Sequence, residues 1–148
     1  MRPFVKALEE RITSFAPLSD VAFRLLFSPI FVIGGLGHFV RHNDMLDRLA
    51  DSPWFGLVKS IGEPSLLLNL SGIAMVVFGI GIAFGFLTRL SAVALFVTLV
   101  PITLAVHIAP GHTGPLLKNV AILGGLIHFF VRGGGAWSVD RYLARRAP

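Results

Sequence analysis

Residues Pro64–Leu87 read PSLLLNLSGIAMVVFGIGIAFGFL, without a single charged side chain. A bilayer core of about 30 Å needs roughly 20 apolar helical residues to cross it. Within lipid, every backbone N–H and C=O must find its partner inside the segment, so a stretch of this kind is a helix. A transmembrane barrel strand would alternate apolar and polar residues, whereas Ile73–Leu87 is apolar on all sides. Three further stretches share this character: Val21–Val40, Leu90–Ala109 and Pro115–Val131. The last is shorter and relies on its flanks. The expectation is an all-α membrane protein, an antiparallel bundle of four transmembrane helices.

Composition agrees. Hydrophobic residues make up 54% of the 148-residue chain and charged residues 14%. Soluble domains carry about 25% charged residues, so this chain lacks the polar surface to coat a water-soluble globule. The net charge of +5 does not point to nucleic acid, because the basic residues flank the spans and form no surface stripe. Anionic lipid headgroups are the expected partner of those charges. The absence of cysteine removes thiolate nucleophiles, thiolate zinc sites, iron–sulfur clusters and disulfide exchange together.

Charge also gives a direction. Four spans place both termini on one side, with Arg2, Lys6, Arg11, Arg24, Arg89, Arg132, Arg141, Arg145 and Arg146. The opposite side holds Arg41, Arg48, Lys59 and Lys118. The larger basic group belongs inside, so both termini are expected to be cytoplasmic.

Residues 1–20 carry mixed charges and no apolar core, unlike a cleaved signal peptide. Phe4, Leu8, Ile12 and Phe15 fall on one helical face, opposite Lys6, Glu9, Glu10 and Arg11. That pattern predicts an amphipathic helix on the membrane surface. The transmembrane domain then occupies residues 21–132, and a basic tail residues 133–148. In the longest connection, Asn43 is expected to cap a helix over Asp44–Asp51, ended by Pro53. Trp54 and Phe55 follow as interfacial aromatics, so that this outer-loop segment forms a partial lid. Pro29 and Pro101 predict kinks. The glycines of the spans predict close helix packing, with Gly81–Gly85 a candidate homodimer face. In the tail, Ser138 is expected to cap a last helix, Val139–Arg146.

The string Lys118-Asn119-Val120-Ala121 running into Gly124-Gly125-Leu126, followed by Trp137-Ser138-Val139-Asp140, resembles the DoxX family of four-helix bacterial membrane proteins. Arg24, Glu63 ahead of the second span, and Gly85-Phe86-Leu87-Thr88-Arg89 with Ala92 look like further family features. The similarity extends over roughly residues 20–142. It implies a protein of the bacterial cytoplasmic (inner) membrane. Through the quinone-linked thiosulfate oxidation behind the family name, it also implies a subunit supporting quinone-linked redox chemistry, with a soluble or membrane redox partner. An assembly or anchoring subunit without chemistry is the alternative, and a small-solute transporter the second. A proton-coupled drug pump is disfavoured, because no carboxylate lies inside a span.

Candidate site residues sort into two layers. At the outer ends lie His38, Glu63, His107, Lys118 and Asn119, with Trp54 above them. Helix bundles build sites from facing side chains at one level. A quinone headgroup needs one or two hydrogen-bonding groups beside an apolar slot, so quinone is the candidate cofactor. The histidines form no compact ligand motif, so no metal or haem site is expected; His42 and His112 read as interfacial groups in water. His128, within the fourth span, is expected to bond a neighbouring helix. At the inner ends, Arg24 and Arg89 are expected to compete for Asp140 in a structural ion cluster that fastens the tail beneath the bundle.

Overall fold

A computed structural model describes residues 2–104 and 113–146. The described residues are mostly helical, without strands among them. Helix α1, Arg2–Ser14, leads into α2, Ala16–Phe27, and α3, Pro29–Val40. Two short helices, α4 (His42–Ala50) and α5 (Phe55–Ile61), precede α6, Pro64–Phe84. Then come α7, Thr88–Ile102, α8, Thr113–Arg132, and α9, Val139–Ala144.

Three helical stretches are long and apolar enough to cross a membrane: Ala16–Val40, Pro64–Phe84 and Thr113–Arg132. Helix α7 is shorter, at 15 residues. Residues 105–112 lie outside the described residues, and with them the expected end of the third span.

Local chemistry explains most boundaries. Pro29 has no N–H, and the helical path divides at Ser28 between α2 and α3. The Ser28 N–H still donates to Arg24 O at 2.9 Å, so α3 continues almost without interruption. The helical stretch that holds the first expected span therefore begins at Ala16, ahead of Val21. A proline in the first turn sets the start of α2, and Phe15 is the junction with α1. Helix α6 ends at Phe84, three residues short of the expected Leu87. Gly85 adopts φ 65°, and the Phe86 and Gly85 N–H groups donate to Gly81 O and Ile82 O. This is a Schellman end, which a glycine permits. Near Pro101 the chain widens to a π-type turn at residues 103–104, a known source of helix irregularity.

Two expectations for the long connection are corrected. Helix α4 starts at His42, not Asp44, and Asn43 is not its cap; Arg41 holds that position without a side-chain cap bond. After Pro53, Phe55–Ile61 adds a further short helix, α5. Ser138 does cap α9, accepting from the Arg141 N–H at 3.2 Å.

The core is shared by α3, α6, α7 and α8, with Phe31, Ile82, Leu95 and Leu126 fully buried. Phe23, Phe27 and Phe129 join it as stacked and tilted rings 4.8–5.3 Å apart. Glycines let α3 and α6 approach closely. A Cβ built on Gly35 would lie 2.7 Å from Gly72 O, and one on Gly79 would lie 2.9 Å from Phe31 Cβ. Large apolar side chains such as Leu26, Val77 and Val97 point outward from α2, α6 and α7. That surface suits lipid and not water.

Candidate functional site

The layer expected at the outer ends lies where α3 ends and α6 begins. His38 is buried there against α6. Its Nδ1 lies 3.1 Å from Leu68 O and 2.9 Å from Ser71 Oγ. A carbonyl oxygen only accepts, so Nδ1 carries the proton and Nε2 the lone pair in the neutral ring. The Ser71 hydroxyl donates to the same Leu68 oxygen at 2.7 Å. One turn later, His42 Nδ1 donates to His38 O at 3.2 Å, and Nε2 accepts from Ser65 Oγ at 2.9 Å. His42 is therefore half-buried and bonded across helices, not an interfacial group in water.

Glu63 caps α6. Its two oxygens accept from the Ser65 N–H at 3.0 Å and the Leu66 N–H at 2.6 Å. A carboxylate at this position satisfies free N–H groups and complements the helix dipole. Ser65 thus joins His42 and Glu63 into one cluster with His38. Asn119 is buried on α8 and donates through Nδ2 to Thr103 Oγ1 at 2.9 Å, tying α8 to the end of α7. Lys118 and Trp54 are exposed. His107 and His112 lie outside the described residues. Among the described residues, no three of His, Asp and Glu gather as a metal would require.

The layer expected at the inner ends is more tightly bonded. Arg24 is 2% exposed. It donates through Nη2 to Trp137 O at 2.7 Å and through Nη1 to Ala83 O at 3.3 Å. Asp140 accepts through Oδ1 from the Leu87 N–H at 2.7 Å. Its Oδ2 accepts from the Thr88 N–H at 2.8 Å and the Thr88 hydroxyl at 2.7 Å. The Asp140 N–H donates to Gly85 O at 2.9 Å. Arg89 reaches α8 instead, donating to Val131 O at 3.3 Å.

The hydrogen bonds of this layer run largely to the backbone. Arg24 and Arg89 bind carbonyl oxygens, and Asp140 caps the first turn of α7. The first N–H groups of a helix have no partner within it, and a carboxylate from the tail supplies one. Arg24 and Asp140 still converge at one end of the molecule, each holding the tail to the α6–α7 corner. His128 is also corrected: its ring is exposed and stands edge-on to Phe23 at 5.5 Å.

Sequence reading missed the hydroxyls of Ser65, Ser71, Thr88 and Thr103, which complete each cluster. A signal existed. Ser65 and Gly72 share one face of α6, and His38 and His42 are four residues apart across the α3–α4 junction.

The DoxX family model matches residues 19–108. This chain belongs to the DoxX family. The match includes Arg24, Glu63 and the Gly85–Ala92 corner, and stops ahead of the Lys118–Asp140 string. The chain is 34% identical over 128 residues to Inner membrane protein YqjF of Escherichia coli, covering 83% of this chain and 90% of that one. It is 28% identical over 146 residues to Uncharacterized membrane protein Rv3486 of Mycobacterium tuberculosis, covering 88% and 85%. No solved structure gives a significant match. With this family assignment and three helices of spanning length, the chain is an integral membrane protein.

Proposed function

We propose that this DoxX-family protein is a multi-pass subunit of the bacterial cytoplasmic membrane whose packed helices anchor a membrane assembly. In this reading α2–α3, α6, α7 and α8 are four antiparallel spans, and α1 lies on the inner surface. Both termini are cytoplasmic, as the basic residues favour. The observation that carries the anchoring role is where the polar side chains spend their hydrogen bonds. His38 holds α3 and His42 holds α4 to α6, Asn119 holds α8 to α7, and Arg24 and Asp140 hold the tail to the α6–α7 corner. Interhelical bonds of this kind fix one packing in a bilayer, where the hydrophobic effect does not drive helices together.

A second reading, quinone-linked redox support, is favoured by the cluster of His38, His42, Ser65 and Glu63. There Glu63, His38, His107, Lys118 and Asn119 would face a quinone headgroup beneath Trp54. Neutral His38 would offer the lone pair on Nε2 as an acceptor, its Nδ1 proton being committed to α6.

One preparation separates the two. The protein is extracted from its own membrane in mild detergent, resolved by native electrophoresis, and its bound quinone is quantified. The anchoring role predicts migration with a partner polypeptide at fixed stoichiometry, unchanged in His107→Ala. A lone protomer carrying one quinone, lost in His107→Ala, would reject anchoring in favour of the quinone site.

A further inference from the structure

The α7–α8 seam carries a feature that neither reading uses. A groove of about 200 Å³ runs between these helices, lined by Ala92, Val93, Phe96, Leu126, Ile127 and Phe130. Every lining side chain is apolar, so no group there can bond a quinone carbonyl. Val93, Ile127 and Phe130 are 41–53% exposed, so the groove opens on the outward surface of the helices.

The rim of the groove is not apolar. Arg89, Val93 and Phe96 are spaced four and three residues apart, which puts Arg89 on the groove-lining face of α7, one turn toward its start. That end of the groove is where α7 begins and α8 ends. Arg89 is exposed there and bridges the helices through its one bond to Val131 O. A guanidinium has five N–H donors in a planar fork that matches phosphate geometry. The nearby carboxylate, Asp140, is already committed to Leu87 and Thr88. Arg132, exposed at the end of α8, adds positive charge to the same end of the molecule.

We infer that this groove is a binding site for an anionic phospholipid, with one acyl chain in the slot and the headgroup phosphate on Arg89. The charge at the rim distinguishes this occupant from a neutral isoprenoid or a second apolar helix. An anionic headgroup gains from a surface arginine, and a zwitterionic one gains less.

The test is native mass spectrometry of the purified protein with added phosphatidylglycerol or phosphatidylcholine. The wild type retains phosphatidylglycerol in preference to phosphatidylcholine by about fivefold, the factor expected of one surface arginine. Arg89→Gln brings the two lipids near parity, while Arg89→Lys keeps part of the preference. Ile127→Trp, a change on the exposed surface, fills the slot and lowers retention of both lipids without changing the melting temperature. An unchanged preference in Arg89→Gln would overturn the site. So would undiminished lipid retention in Ile127→Trp, or displacement of the phospholipid by a neutral isoprenoid quinone.

Discussion

Gly72 and Gly124 sit in similar apolar helices, yet they should respond to substitution in opposite ways. A Cβ on Gly72 would lie 2.9 Å from His38 Cβ and 3.0 Å from Gly35 O, whereas one on Gly124 meets nothing within 4 Å. Gly72→Val should destabilise the protein by about 1–3 kcal/mol, the usual cost of overpacking. Gly124→Ala should be neutral, or stabilising by up to ~1 kcal/mol through helix propensity. Thermal melting of both variants in one mild detergent checks the pair. Asp140→Asn belongs to the same scale. It keeps one acceptor oxygen but turns an amide toward N–H groups that need acceptors. A loss of about 1–3 kcal/mol is expected, in the range of bonds to a charged group. An unchanged melting temperature would mean that the cap on α7 contributes nothing. At this scale the sequence was only partly legible. Arg24 and Asp140 stood out as ionic groups at one membrane face. Their choice of backbone partners depends on where helix ends leave unpaired N–H and C=O groups, which residue type alone does not reveal.

Helix α1 shows the same division among elements. Its period was readable, because an amphipathic repeat reports on one helix alone. What lies against its apolar face is not a local property. Phe4, Leu8, Ile12 and Phe15 are all 48% exposed or more, so among the described residues nothing covers that face. If α1 rests on the bilayer, single cysteines placed at Phe4 and Ile12 should carry an environment-sensitive probe into an apolar setting in vesicles. The same probe at Lys6 and Glu10 should report water. The chain has no cysteine of its own, so each label is unique. Aqueous signals at all four positions would remove α1 from the membrane surface. The connection before α6 was less legible. Asn43 looked like a cap and Pro53 like a stop, but α4 begins at His42, whose ring is held by Ser65 on another helix. That tertiary bond is invisible to local signals.

For the whole molecule, run length decided the class, since crossing lipid demands little beyond an apolar helix of sufficient length. Helix α6, with 21 residues, spans about 31 Å at 1.5 Å per residue and matches the hydrocarbon core. Helix α7, with 15 residues, spans about 22 Å, so a full third crossing depends on the residues that follow Ile102. Of the residues expected at one level, His38 and Glu63 share a neighbourhood through His42 and Ser65, while His107 falls outside the described residues. The four-span arrangement is the central claim, and sidedness tests it most directly. Single cysteines are placed at Asp51, between α4 and α5, and at Arg146, in the tail. They are then exposed to a membrane-impermeant maleimide in intact spheroplasts and after permeabilisation. Asp51→Cys should react in intact spheroplasts, and Arg146→Cys only after permeabilisation. Reaction of both positions from the same side would contradict four spans with cytoplasmic termini.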